Sequence, residues 1–432
     1  MISFDIGADL FPLVACTLAS ICCGLLGNFL VLRRQSLMGD AISHSVLPGL
    51  VIAFLVAAEI NPYVMFAGAA LAGVATVVLI EVVKRVGNVE PGAAMGVVFS
   101  IMFALGVLLI EQAAARNIDL DAGCVLYGQP ESLAWFGAPS SFGELFSWRT
   151  IEESPRQVST LLAMTILAVV FVTVFFKELR IAAFDPALAT SLGFNAAVLH
   201  YALMIAVACA TVASFEAVGS ILVIAMLVCP AASARLVSDR LLAQILWSVA
   251  FATASGLVGY FAAIAVPAMF DRDAVSIAGS MTVVAGLLFT LTAVASPTQG
   301  VLARSLRQRG LARDVALEDL LATIYRRDEH TADNETAAPA SVLLQSRRLQ
   351  SALGLARKKN LVTGEPASPQ LTNEGRGIAE QLVRKHRLWE DYLVRKAGVA
   401  PDHVHETAER LEHYDPTPID GPDQDPHGKP IP

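Results

Sequence analysis

Nine predominantly apolar stretches, each about twenty residues long, recur between residues 10 and 295: 10–31, 40–58, 62–83, 94–113, 158–176, 196–214, 217–237, 241–268 and 274–295. About 30 Å of hydrocarbon takes roughly 20 helical residues to cross, and a backbone in lipid must bond to itself as a helix or a closed barrel. The first 300 residues are therefore predicted to form a bundle of membrane helices. Eight spans are an alternative to nine, because 40–58 holds Asp40, His44, Pro48 and Gly49. Closely spaced Gly, Ala and Ser within several stretches suit tight helix packing.

Charge divides the chain in two. Asp, Glu, Lys and Arg make up 31 of the first 300 residues but 39 of the remaining 132. A soluble domain carries roughly 25% charge, so a soluble tail is predicted to follow the membrane part. The predicted fold class is an all-α polytopic membrane protein of eight or nine transmembrane helices over 1–300, then a linker over 301–313 and a soluble, mostly α domain over 314–432. The tail is nearly neutral, so overall charge makes no case for nucleic acid. Five of the six cysteines lie in apolar runs, Cys124 lies in a loop, and no CxxC pair exists. Neither a zinc ribbon nor a disulfide framework is indicated. No cationic segment precedes the first apolar run, which is expected to be retained.

Lys and Arg orient the spans. With the N-terminus outside, inner loops hold Arg33, Arg34, Lys84, Arg85, Lys177, Arg180, Arg235 and Arg240, and outer loops hold Arg116, Arg149, Arg156 and Arg272. Nine spans then leave the tail in the cytoplasm.

An ionisable residue inside a span is costly and marks a functional candidate. Asp40 and His44 are four apart and share one helical face. A carboxylate with an imidazole suits Mn²⁺, Zn²⁺ or Fe²⁺. A helix-start cap in interfacial water is the alternative for the same pair. Glu216 sits at the outer end of a span interrupted by Pro230, either as an interfacial carboxylate or as part of a transport pathway. His200 is expected to pack as a polar residue making one interhelical hydrogen bond.

Three segments carry a resemblance: Ser36 to Gly49, Phe184 to Gly193, and Glu216 to Arg235. They resemble the permease family of manganese, zinc and iron ABC importers over about 10–300. The resemblance implies a plasma-membrane homodimer or pair of related permeases, two cytoplasmic ATPase subunits and an extracytoplasmic metal-binding protein. It also implies a transport pathway through Asp40, His44 and Glu216, and a short coupling helix on Phe184, Asp185, Pro186, Leu192 and Gly193. Asp185 followed by Pro186 is itself a helix-start signal. The chain has no GxxxxGKS/T run, and Gly428-Lys429 is followed by Pro430. ATP hydrolysis is therefore expected from a separate subunit rather than from this chain.

In the tail, helices are predicted over 315–327, 341–360, 372–397 and 403–413, a loop over 328–340, and a two-stranded wing over 361–372. His405, Glu409, Glu412 and His413 fall on one helical stripe, and His386 with Glu390 makes another i, i+4 pair. Imidazoles and carboxylates together form a surface for a first-row metal; a solvated charged face is the alternative. Leu317 to Tyr325, Leu371 to Arg376, Arg384 to Glu390 and Val404 to His413 resemble the diphtheria-toxin-repressor family of metal-sensing winged-helix regulators. That resemblance implies a cytoplasmic winged-helix and metal-binding domain, with a winged-helix-like part over 314–377 and a metal-binding, dimerisation-like part over 378–432. It also implies one site on Asp319, Glu409, Glu412 and His413 and a neighbouring one on His386, Glu390 and His405. The ligand set resembles the manganese branch, although Ala322 replaces one of its carboxylates. Arg347, Arg348, Arg357, Lys358 and Lys359 are the candidate DNA contacts. DNA is the less favoured partner, since a membrane-tethered dimer meets an operator with difficulty.

The expected function is an importer permease with membrane lipids around it, divalent metal as its substrate and as its tail ligand, and a metal-responsive tail. The alternatives are an ion-coupled secondary carrier and a membrane-tethered, metal-dependent transcription regulator. More intramembrane charge would favour the carrier, and fewer spans the regulator.

Overall fold

Without water to bond to, the apolar segments close their hydrogen bonds along their own axes, and the computed structural model is helical almost throughout. It describes residues 5–57, 61–114, 130–133, 154–332, 347–365, 368–413, 424–427 and 429–432. Two units separate, Met1–Ala303 and Arg304–Pro432. Cys124, Arg116, Arg149 and residues 333–346 lie outside the described residues, as does the side chain of Arg347.

The first unit contains α1 (Ile6–Leu32), α2 (Met38–Ala57), α3 (Pro62–Gly87), α4 (Pro91–Ala114), α5 (Arg156–Val174), α6 (Phe176–Phe184), α7 (Pro186–Ser191), α8 (Ala196–Val218), α9 (Ser220–Val237), α10 (Leu241–Ala268) and α11 (Ile277–Ala295). Among the described residues, nine of these helices are long and apolar enough to cross a membrane, α6 and α7 being the exceptions. Each of the nine coincides with one expected stretch, including the one that holds Asp40 and His44. Only Gly219 separates α8 from α9; its φ of 82° breaks the helix at a place where a side chain would be strained.

Helix α1 is central, packing against α5, α8, α9 and α10. Ala15, Cys16, Cys22, Cys23, Leu26 and Phe29 on it are wholly buried. Helix α2 packs on α3 and α4. At its crossing with α3, a Cβ on Gly49 would fall on the Gly68 carbonyl and on Ala72, and a Cβ on Gly68 would fall on Ala53. Small residues allow this approach, as in other membrane helix pairs.

The second unit holds most of α12 (Val301–Ala332), with α13 (Arg347–Lys358), strands β1 (Val362–Glu365) and β2 (Ser368–Leu371), α14 (Asn373–Arg395), a single 3-10 turn (Pro401–His403) and α15 (His405–Leu411). Leu317, Leu320, Leu321 and Ile324 of α12 repeat at helical spacing and bury against Ala352, Leu353 and Ala356 of α13, with Leu361 and Val362 beside them. The strands pair antiparallel, Val362 with Leu371 and Glu365 with Ser368, as the expected wing. Two expectations differ. Helix α12 runs on through 328–332, where a loop was predicted. Its charged last turns are held from the side: Arg327 donates to the Pro369 carbonyl (2.9 Å) and Glu329 accepts from Arg387 (2.6 Å). The last helix ends at Leu411, so Glu412 and His413 lie beyond it.

The α2–α3 crossing is testable. Gly68→Leu overfills the contact, at a cost of roughly 1–3 kcal/mol, and the unfolding midpoint of the purified chain should fall by several degrees. Gly96→Ala adds a methyl where nothing lies within 4 Å, and should leave the midpoint unchanged. Equal midpoints for the Gly68 variant and the unsubstituted chain would mean the crossing is not tight.

Candidate functional site

Asp40 lies in the first turn of α2 and His44 one turn further in. His44 Nε2 stands 3.3 Å from Asp40 Oδ1. The imidazole packs against two rings of α4, Phe99 (centroids 5.0 Å apart) and Phe103 (5.8 Å, edge-on). Its Nδ1 is buried and finds no hydrogen-bond partner among the described residues. A buried polar atom without a partner is uncommon in a folded protein. Here it leaves one imidazole nitrogen free for a ligand, beside a carboxylate that is partly open to solvent. A helix-start position and an oriented donor pair thus coexist in the same two residues.

Glu216 is exposed near the end of α8 and pairs with Arg156, the first residue of α5. The Arg156 guanidinium also lies over the Tyr63 ring, 5.2 Å from its centroid. Sequence spacing gave no sign of this partner, 60 positions away. Glu216 is therefore held in an ion pair rather than standing alone as a ligand.

The segment 184–193 forms a small, self-contained turn. Asp185 caps α7, its Oδ1 accepting from Leu188 N–H at 2.9 Å, and Pro186 starts the helix. Gly193, at φ 88°, ends it, with Phe194 N–H returning to the Ala189 carbonyl (3.0 Å). This is the glycine-closed helix end that a left-handed residue permits. Phe184, at the end of α6, and Leu188 and Leu192, on and just after α7, are exposed apolar side chains.

In the second unit, two ligand groups form around α14. His386, Glu390 and His405 bring one donor atom each within 4.8 Å of one another, and so do Asp319, Glu412 and His413. Ligand atoms about 2.1 Å from an ion stand at most about 4.2 Å apart, so a modest closing would suit a divalent cation. Oxygen and imidazole donors without thiolate favour Mn²⁺, Zn²⁺ or Fe²⁺ over copper(I). His386 joins the groups, with Nδ1 2.5 Å from Glu412 Oε2 and Nε2 3.1 Å from both Glu390 Oε1 and His405 Nδ1. His405 Nδ1 is 3.0 Å from the same Glu390 oxygen.

These contacts set the protonation balance. Burial alone would raise the Glu390 carboxyl, but hydrogen bonds from His386 and His405 outweigh it and hold the group at about 2. Burial alone would lower His386, yet its bonds to Glu390 and Glu412 raise it on balance. Asp319 is pushed upward by burial, against the attraction of His413.

Of the expected ligands, Glu409 alone is left out of both groups and is exposed. Residue 412 still keeps helical backbone angles, its N–H bonded to the Ala408 carbonyl (2.9 Å), so the end of α15 does not by itself account for Glu409 standing apart. Two participants escaped the sequence reading. Glu318 accepts from His413 Nδ1 (2.6 Å) and Arg326 donates to Glu412 (3.3 Å). Glu318 adjoins Asp319, which was the only available signal for it.

The candidate DNA contacts Arg348, Lys358 and Lys359 are exposed, on or just after α13. Arg357 is turned to its own wing, donating to the Gly364 carbonyl (2.6 Å).

The ABC 3 transport family profile matches residues 10–131 and 148–296. A profile described as iron dependent repressor, metal binding and dimerisation domain matches 372–432. The zinc transport system membrane protein TroD of Treponema pallidum is 36% identical over 365 residues, 84% of this chain and 95% of that protein. The manganese transport system membrane protein MntD of Bacillus subtilis is 37% identical over 69% of this chain and 96% of its own length. MntC of the same organism is 30% identical over 410 residues, covering 90% of this chain and 87% of that one. Among solved structures, PsaBC from Streptococcus pneumoniae in complex with Fab aligns with a TM-score of 0.54 at 27% identity, covering 69% of this chain and 94% of that one. The matched segments take in nearly all of the nine apolar helices, and the chain is a multi-pass membrane protein that belongs to the ABC 3 transport family, fused to a tail of the repressor metal-binding kind.

Proposed function

We propose that the chain is the permease subunit of an ABC importer for divalent metal ions, Mn²⁺ foremost and then Zn²⁺ or Fe²⁺. The observation that carries this reading is the Asp40–His44 pair, with an unpartnered imidazole nitrogen, inside a helix of the matched family region. Relatives named for manganese and for zinc transport support the substrate class. In this reading the N-terminus faces outward and the tail faces the cytoplasm of a plasma (inner) membrane. Two permeases, identical or related, associate with two ATPase subunits and receive metal from an extracytoplasmic binding protein. Residues 1–300 form the transport domain, 301–313 a linker, 314–377 the winged-helix-like part and 378–432 the metal-binding part.

Asp40 and His44 are the metal-handling pair of the pathway. Glu216, paired with Arg156, guards its outer end. Losing a group that merely orients a metal ligand costs about 10–100-fold, so losing a ligand costs at least that. Asp40→Asn and His44→Ala should each lower metal uptake at least about ten-fold, with unchanged membrane abundance and unchanged ATPase association. Unchanged uptake in both would remove the pair from the pathway.

The turn 184–193 serves as the coupling helix, its exposed Phe184, Leu188 and Leu192 covered by the ATPase. Asp185→Ala with Pro186→Ala removes the cap and the pre-set first residue. Metal-stimulated ATP hydrolysis by the assembled transporter should then drop several-fold. Full stimulation would place the docking contact elsewhere.

The tail senses imported metal. An ion bound by Asp319, Glu412 and His413, with Glu409 able to swing in from its exposed position and His386, Glu390 and His405 alongside, would fix α12 against α15 and lower import as feedback. Glu412→Gln/His413→Ala should keep uptake high as internal Mn²⁺ rises, whereas uptake by the unsubstituted chain falls. A decline identical in both would exclude feedback through this group and favour the second reading, a DNA-directed tail using Arg347, Arg348, Lys358 and Lys359.

A further inference from the structure

A cationic groove at one end of the membrane unit shares a wall with the coupling turn, but its cations are used by none of these roles. It measures about 640 Å³ and is lined by Arg33, Arg34, Lys84 and Arg85, with Glu81 as its one carboxylate. Glu81 is already shared between Lys84 (2.6 Å) and Arg85 (2.9 Å). Three positive charges are left over, in a unit where acidic residues outnumber basic ones. Pro186, Ala187 and Thr190 of α7 form another part of the wall.

Two details show that this end is built at a conformational cost. Helix α1 closes with Arg34 N–H to the Val31 carbonyl (3.1 Å) and Gln35 N–H to the Leu30 carbonyl (2.9 Å). Arg34 thereby takes the left-handed position of the motif, at φ 57°, where glycine is favoured and a side chain is strained. Arg33 uses Nη1 on His200 Nδ1 (2.9 Å), the single interhelical bond expected of that histidine. Its Nε and Nη2 are buried with no partner among the described residues. Those two N–H groups lie side by side on one edge of the guanidinium, the fork that matches two oxygens of a phosphate.

We propose that the groove binds the phosphodiester headgroup of an anionic membrane lipid, with Arg33 forked onto the phosphate and Arg34 and Lys84 completing its charge balance. Depth supports the lipid source. The lining comes from the ends of the apolar helices α1 and α3 and the start of α8, where juxtamembrane cations meet headgroups. A headgroup bound there would leave its acyl chains on the hydrocarbon side of the helix ends, a feature free phosphate lacks. Binding here needs neither the transport pathway nor the coupling role of 184–193.

The test uses the purified full chain in vesicles of phosphatidylcholine alone, or of phosphatidylcholine with about a quarter phosphatidylglycerol. The mixed vesicles should raise the unfolding midpoint by about 3 °C or more, and co-purified phosphatidylglycerol should survive delipidation. Arg33→Gln and Arg34→Gly should each lose the shift. Arg34→Gly relieves the left-handed strain, so in phosphatidylcholine alone it should unfold no earlier than the unsubstituted chain, and its loss of response cannot be put down to misfolding. Inorganic phosphate added to phosphatidylcholine vesicles should give no shift; an equal shift would identify free phosphate and overturn the lipid. A full shift retained in both variants would also overturn the proposal. So would variants that lose only ATPase-subunit association while keeping the lipid response, since the groove would then hold acidic side chains of a protein.

Discussion

The membrane unit depends on how closely other helices approach α1. In lipid no hydrophobic force drives helices together, so contact area and a few polar ties must hold them. Gly27 lets the Leu227 backbone of α9 lie directly against α1. Ser248 of α10 donates to the Gly24 carbonyl (2.8 Å), and Gln244 donates to Asn28 Oδ1 (3.1 Å). Near the other end of α1, Tyr260 donates to Asp9 (2.7 Å). Ties of this kind are worth on the order of 0.6–2 kcal/mol each, so the small residues that permit them matter as much as the ties. With α1 fixed, the short turn from Arg33 to Leu37 sets where α2 begins, and with it the position of Asp40.

Both candidate metal-handling regions use carboxylate and imidazole, but they differ in how finished they are. The tail donors already contact one another, His386 bridging Glu390 and Glu412. A metal entering there would have to displace those existing bonds. The Asp40–His44 pair is sparser, with one partly exposed carboxylate and one nitrogen unpartnered among the described residues. Few donors give weak holding, and a transported ion has to leave as readily as it arrives. The Phe99 and Phe103 rings fix the imidazole without adding donors.

The tail shows how a short region gains order from its contacts. Arg387 is buried between α12 and the chain's last residues, donating to Glu329 and to the Pro430 carbonyl, with Asp425 3.6 Å away. Arg384 donates to the Pro432 carbonyl at 2.7 Å. Residues 429–432 are held along α14 by these two arginines, one turn apart.

Sequence alone located the membrane helices while leaving eight or nine open, and it marked the division between membrane and tail, the wing at 362–371, and the Asp185–Pro186 helix start. Each is a local matter: an apolar run of the right length, a step in charge density, a capping side chain next to its own helix. The same holds for Asp40 with His44 and His386 with Glu390, whose spacing of four is settled within one turn of helix. Tertiary structure decided which distant groups meet. Arg156 reaches Glu216, Glu318 reaches His413, Arg326 reaches Glu412, and Glu409 is left outside both ligand groups. The unpartnered nitrogens of Arg33 belong to this second kind, since only the packing of α1 against its neighbours buries them. Periodicity fixes what shares a face along one helix; it carries no information on which face of another helix arrives opposite, and that is set by the packing of the whole unit.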